Sequence, residues 1–426
     1  MGALSACPVA ASASDTGADS DTDADMDTDA DAGGGTILPP GGNMERLKAD
    51  ELSAMIRRVF EPKADDTTLA VLVDLPDEAL PDNDDWALRR LIAADWVREL
   101  VAARPDHGLD ISLVVYRNVR ANNADLPATG WLCEPDGLPT NADDLDPADA
   151  LPFGEILDAH RLILAPTELS ATAPLKVLSP LHGCRGATMP GFSPAMVPAL
   201  RLDYTEVNRR VHLLKELLDR SVSADLRFAV DGTTEYDLHL DLRHRTAHAS
   251  GGLLPQSGTA GNLPSGEAYI VPYEGEIAGD PSRTEGVLPV QLGDEVVLFE
   301  IRENTAVGVA SNGPASRKEA SLLAAEPARG NIAELGLGVL SAFGIEPIGE
   351  VLLDEKLGLH VAFGRSEHFG GQVGPAQFST PESVIHQDHV YVAQIQPRVS
   401  AAAVDLCFEG GGTLELIRDG DYRYEF

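Results

Sequence analysis

The chain has 426 residues, 43% of them hydrophobic, with a formal net charge of −36 and an expected pI near 4.5. That length has room for two domains of ordinary size, while so acidic a balance repels nucleic acid and anionic lipid and excludes both as expected partners. Cys7, Cys133, Cys184 and Cys407 stand isolated with no C-x-x-C pair, which excludes a Cys₄ zinc site and argues against a disulfide framework.

Residues 1–43 hold eight Asp and no Lys or Arg, then run into Gly and Pro. Such a segment cannot bury enough apolar surface to offset chain entropy, so it reads as a disordered acidic tail, with Met44 a candidate start of the folded part. Leu4-Ser5-Ala6-Cys7 matches a lipoprotein cleavage box, but neither a basic nor an apolar region precedes it, and a secretory signal is not expected. Without an apolar run of about 18 residues the chain is expected not to span a membrane and to be cytoplasmic.

From Ala49 onward Leu52, Met55, Ile56, Val59 and Phe60 have helical spacing. TLAVLVDL at 68–75 reads as a buried strand, and Asp84–Ala103 as a long amphipathic helix whose leading aspartates suit its N-terminus, with Trp86 and Trp96 in its core face. A strand at 111–116, a short helix at 153–159 and a strand at 161–164 continue the alternation. Strands alternating with helices predict an α/β N-terminal domain with a parallel sheet over residues 44–200. No Gly-rich phosphate loop and no G-x-S-x-G occurs in it.

A second unit is expected from 201 to 426, opening around Pro180–Leu200 and led by a helix at 205–218. Strands then dominate, at 226–230, 236–242, 267–271, 295–301, 360–363, 388–395 and 413–417. The expectation is an α+β C-terminal metal-binding domain with a largely antiparallel or mixed sheet.

That unit carries the chemistry. Glu334, His360, His386 and Asp388 fall within 55 residues, and imidazole plus carboxylate is the ligand set of a divalent zinc, manganese, cobalt or iron site. His386 and Asp388 lie two apart in a β-branched segment, which on a strand puts both on one face. An H-x-D pair also occurs by chance in an acidic chain with eleven histidines. Glu267 follows a Pro-Ser-Gly turn, a position that holds a carboxylate at a strand end and is equally an ordinary hairpin entry. His239, His244 and His248 have spacing that fits no compact metal site and read as surface histidines. Lys356 reads either as an orienting partner for a ligand carboxylate or as an exposed turn lysine.

CRGATMPGFSPAM at 184–196, LDYTEV at 202–207, DGTTEYDLHLDLR at 231–243 and GNLPSGEAYIVPYEG at 261–275 are followed by AELGLG at 333–338, DEKLGLHVAFGRS at 354–366, GGQVG at 370–374 and HQD at 386–388. In order and near-spacing this series resembles the thermophilic aminopeptidase (aminopeptidase T) family of metallopeptidases. The resemblance implies two divalent metals, zinc, manganese or cobalt, on Glu267, Glu334, His360, His386 and Asp388, with Glu334 bridging and Glu267 also catalytic. It implies hydrolysis of an amide in a small peptide or peptide-like metabolite, Arg243 or Arg245 as a clamp on a substrate anion, and a possible homodimer. This chain departs from the family at Glu367, where the family has a Tyr seven residues after the first metal His. An ionised Glu cannot donate to an oxyanion, so either Tyr391, His368 or Arg365 substitutes or the chemistry has changed. The same superfamily resembles ring-cleaving 2,5-dihydroxypyridine dioxygenases, which implies one Fe(II) as the alternative; a non-catalytic metal or peptide binder is the third reading.

Overall fold

The computed structural model describes residues 45–380 and 383–426, so the expected acidic tail and Met44 lie outside the described residues. The first layer is a seven-stranded sheet in the order Thr259–Asn262, Arg185–Thr188, Leu162–Ala165, Thr68–Leu75, Asp110–Arg117, Thr129–Cys133, Leu151–Pro152. The first five run parallel and the last two add as an antiparallel edge. Thr68–Leu75 is buried from Leu69 to Leu75, the continuous apolar run that a parallel strand covered on both faces requires.

Helices Ala49–Phe60 and Asp84–Ala102 cover this sheet. The first carries Asp50 and Glu51 in its opening turn and Arg57 and Arg58 in its last, each sign at the favourable end of the helix dipole. The second is capped by Asn83, whose side chain accepts from the Trp86 amide at 2.8 Å. Trp86 and Trp96 are both buried. The Trp86 indole donates to the carbonyl and carboxylate of Asp74.

Two antiparallel sheets follow. A five-stranded one has the order His386–Val390, Leu359–Gly364, Ile332–Gly338, Glu267–Ile270, His248–Ser250, and an eight-stranded one runs from Thr305–Val309 through Ser221–Val230 to Asp421–Tyr422. A parallel-centred α/β layer joined to antiparallel sheets is the expected fold class. Among the described residues no helix is long and apolar enough to cross a membrane.

Two features differ from the sequence reading. Pro180 does not open a new unit: it lies in the last turn of a helix, Thr172–His182, that ends on Gly183 in the left-handed region. The chain also returns to the first sheet after residue 200, because Thr259–Asn262 pairs in parallel with Arg185–Thr188 at its edge. One core cluster accordingly runs from Leu47 to Ile417. The two parts are packed as one body of apolar side chains.

Candidate metal centre

The five-stranded sheet places the candidate ligands by register. Tyr269 pairs with Gly336 and Gly336 with His360. In the neighbouring row Glu334 pairs with Ala362 and Ala362 with Asp388, and beyond it Gly364 pairs with His386. Paired residues of an antiparallel sheet share a face, and so do i and i+2. One face therefore carries Glu267, Tyr269, Glu334, His360, Asp388 and His386, with Gly336, Gly338, Ala362 and Gly364 between them. The small residues leave room for the long side chains to lie across the sheet. At Gly336 this is a strict condition, since a Cβ there would sit 1.8 Å from His360 Nε2. A bulge between Ile332 and Glu334 shifts the register at the start of that strand, the kind of irregularity that re-aims a side chain.

Glu334 is shared between two groups, Glu267–Glu334–His360 and Glu334–His386–Asp388, each with its ligand atoms within 4.8 Å of one another. Its Oε1 lies 3.2 Å from His360 Nε2 and its Oε2 lies 3.3 Å from His386 Nε2. Glu267 Oε2 is 3.4 Å from His360 Nε2, and Asp388 Oδ1 is 3.7 Å from His386 Nε2. The other ring nitrogens are already committed. His386 Nδ1 donates to the Arg365 carbonyl at 2.8 Å and His360 Nδ1 to the Gly358 carbonyl at 3.3 Å. A carbonyl accepts only, so each Nε2 is left to present its lone pair to the carboxylate cluster, the usual outer support of a ligating imidazole.

Burial alone would lower the His360 imidazole, but the hydrogen bond with Glu334 and the charges of Glu267, Glu334 and Asp388 raise its pKa to about 9. His386 is raised for the same kind of reason, by Asp388 and then Glu334 against burial. Burial would raise the Glu334 and Asp388 carboxyls, yet the two imidazoles hold both below their ordinary range. Lys356 is fully buried, not an exposed turn residue, and donates to Glu267 Oε1 at 2.6 Å and to Glu355.

The donor set fits divalent cations. Glu267 Oε2 and Asp388 Oδ1 are buried and without a hydrogen-bond partner, which is costly for a carboxylate oxygen. Each belongs to one of the two groups that Glu334 joins, so a cation in each group would satisfy both.

A cavity of about 590 Å³ opens over this face. Its floor includes Glu267, Glu334, Glu355, His386 and Asp388, its aromatic side Tyr269, His368 and Phe369, and its far wall Asn123, Lys176 and Asn262. The far wall follows the carboxyl ends of parallel strands of the first sheet, where open α/β sheets hold ligands.

The remaining expected residues lie elsewhere. Tyr391 is a core residue: its hydroxyl donates to the Pro289 carbonyl at 2.9 Å and its ring packs 4.6 Å from that of Phe228. Arg243 is bound by Asp241 and Asp280, and Arg245 by Glu274 and Glu276, so both guanidinium forks are filled by carboxylates of the chain itself. Arg365 and Glu367 pair with each other. None of these five lines the cavity. The alternating strand ahead of Arg243 gave no sign of Asp280, Glu274 or Glu276, which arrive from a loop some thirty residues later.

Tyr269 is the residue the sequence reading passed over. It lies two positions after Glu267 on the same strand face and lines the cavity, and its hydroxyl makes no hydrogen bond among the described residues. Burial, then the charges of Glu334, Glu267 and Glu355, pushes its pKa well up and keeps the phenol protonated. The signal was available, since the i, i+2 argument applied to His386 and Asp388 applies equally to Glu267 and Tyr269.

No family model and no curated protein sequence matches the chain. Two solved structures are similar in fold. The 2,5-dihydroxypyridine dioxygenase of Pseudomonas putida KT2440 superposes with a TM-score of 0.55 at 16% identity, over 88% of this chain and 98% of that one. Wild-type AmpT of Thermus thermophilus gives 0.50 at 17% identity, with the same coverage. This is a distant structural relationship, and both neighbours are enzymes.

Proposed function

We propose that the chain is a metal-dependent hydrolase that cleaves an amide bond in a small peptide or peptide-like metabolite. The observation that carries this is the position of Glu334, with one oxygen turned to His360 and the other to His386. A carboxylate so placed would serve both of two cations. Glu267 and His360 would hold one, and His386 and Asp388 the other. A pair of zinc, manganese or cobalt ions supplies a water of lowered pKa and a Lewis acid for the substrate carbonyl.

The chain's own groups do the rest. Lys356 holds Glu267 by its Oε1, leaving Oε2 as the ligand atom. That leaves Glu355 as the cavity carboxylate outside the ligand set, placed to carry a proton between water and leaving amine. The free hydroxyl of Tyr269 is the donor available for a developing oxyanion. It takes the role that Glu367 cannot fill.

A second reading has its own observation. Glu334 touches both imidazoles, so His360, His386 and one carboxylate also form the set that holds a single Fe(II) in oxygenases. The aromatic side of the cavity suits a planar ring. The partnerless Glu267 Oε2 favours the two-metal reading, because one ion beside His386 would leave it unsatisfied.

Metal content of protein purified anaerobically without added metal separates the two. About two zinc, manganese or cobalt ions per chain, reduced by at least one in Glu334→Ala, supports the hydrolase. One ferrous ion per chain moves the assignment to the dioxygenase, to be followed by oxygen uptake with hydroxylated pyridines.

A further inference from the structure

The floor of the cavity is acidic, and its far wall is not. Among the described residues lining the cavity, Lys176 is the sole lysine or arginine, and it makes no ion pair. In a chain of net charge −36, whose arginines expected at the site all pair with internal carboxylates away from the cavity, this solvent-exposed lysine is the one ammonium among the described residues of the lining. It lies on the helix Thr172–His182, whose first turn also borders the cavity.

Two amides flank it in the lining, and Asn123 has its oxygen used up. Asn123 Oδ1 accepts from the Ala173 amide at 3.0 Å and from the Ser170 hydroxyl at 2.9 Å. The Asn262 side-chain amide lies 2.8 and 2.9 Å from the Thr172 and Thr188 hydroxyls. The Ala173 N–H can only donate, which fixes which end of Asn123 is oxygen. The Asn123 Nδ2 has no partner among the described residues. What the wall offers is therefore an ammonium and an amide N–H₂, that of Asn123, whose acceptor atom is already occupied.

We propose that this wall is a carboxylate subsite, and that the substrate is a small acid with its reacting group over Glu334 and its carboxylate on Lys176 and Asn123. The location of the reacting group rests on the function proposed above; the subsite itself does not. A carboxylate is acceptor-only, and it satisfies an ammonium and an amide N–H₂ together. A carboxamide would turn N–H against N–H and leave donors unpaired. The aromatic side formed by Tyr269 and Phe369, whose ring centroids lie 4.8 Å apart edge to face, provides for an apolar body between the two ends. The carboxylate has two sources that fit this description, the free C-terminus of a di- or tripeptide and the acid group of an aromatic carboxylic acid.

The test is equilibrium binding by calorimetry on the full chain with its metal as purified. One pair of probes is a reduced-bond Phe–Phe dipeptide, with CH₂–NH in place of the scissile amide, as free acid and as C-terminal amide. The other is benzoate and benzamide. The acid should bind about tenfold or more tightly than its amide in at least one pair. A preference in the dipeptide pair assigns the source to short peptides, and a preference confined to benzoate assigns it to aromatic acids. Lys176→Gln should reduce the preference below about twofold and Lys176→Arg should keep most of it, with metal content unchanged in both. Equal binding of acid and amide in both pairs, or a preference that survives in Lys176→Gln, overturns the subsite. A metal count that contradicts the hydrolase leaves the acid-over-amide preference standing, so the two failures are distinguishable.

Discussion

Gly336 and His360 face each other across adjacent strands, and the imidazole occupies the space a side chain at 336 would need: a Cβ there would come within 1.8 Å of His360 Nε2. His360 is fully buried, with Glu334 Oε1 beyond the ring, so it has nowhere to retreat. Gly336→Ala should displace the ring and reduce bound metal by about one ion per chain. Overpacking of this kind costs about 1–3 kcal/mol, a loss a large core tolerates, so the variant should remain folded. Metal analysis alongside thermal unfolding checks this. A folded variant with full metal content would mean that His360 is not a ligand.

Tyr269→Phe removes one hydroxyl and leaves the ring, which stacks 5.2 Å from His248 and packs on Phe369. If that hydroxyl donates to the oxyanion, kcat should fall about a hundredfold or more, with KM and metal content little changed. A kcat within about threefold of the parent would remove Tyr269 from the reaction. Glu367→Tyr, the change that restores the family's residue, should do far less, because position 367 lies beside Arg365 and not in the cavity lining.

How far the sequence reached depends on how local the cause is. Thr68–Leu75 was legible because its burial pattern is written in consecutive residues. The helix from Asp84 was legible in extent but not in its face, since Arg89 and Arg90 are buried in it through carboxylate partners and Val101 is exposed. Thr172–His182 was not, since Pro174 and Pro180 both fall inside its span and proline reads as a breaker. Thr259–Asn262 has four small or polar residues and no period; it is a strand because Arg185–Thr188 offers it an edge. The same holds at the site. His386 and Asp388 share a face by spacing alone, whereas the burial of Lys356 follows from Glu267, which is 89 positions away in the chain.

Asp241 offers a test of the fold that does not involve the metal centre. Its carboxylate is 1% exposed and accepts from the Arg243 guanidinium and from the backbone amides of Arg243 and Arg283. Burial would raise its pKa, but these donors, Arg243 first, hold it below the ordinary value of 3.8. A carboxyl lowered on folding stabilises the fold above its unfolded pKa, and that contribution is lost as pH falls through the folded value. Asp241→Asn should therefore cost about 3 kcal/mol at pH 7, and the gap to the parent should narrow as pH drops below about 4. Urea unfolding at both pH values measures it. A gap that is the same at pH 7 and in acid would assign the loss to packing instead of charge.

Removing metal should lower stability. Glu267 Oε2 and Asp388 Oδ1 are buried without partners, so a cation that binds the folded chain and not the unfolded one stabilises it by mass action, about 2.7 kcal/mol at a hundredfold excess over Kd. For a folded part of this size that is about 3 °C in Tm. Chelation should produce the fall and zinc or manganese should reverse it, with a smaller change in Glu334→Ala than in the parent. Ligating imidazoles must be neutral, so binding releases protons, and the metal-induced rise in Tm at fixed metal concentration should grow from pH 6 to pH 8. A rise that is independent of pH, or equal in parent and Glu334→Ala, would place the cation somewhere other than this face of the sheet.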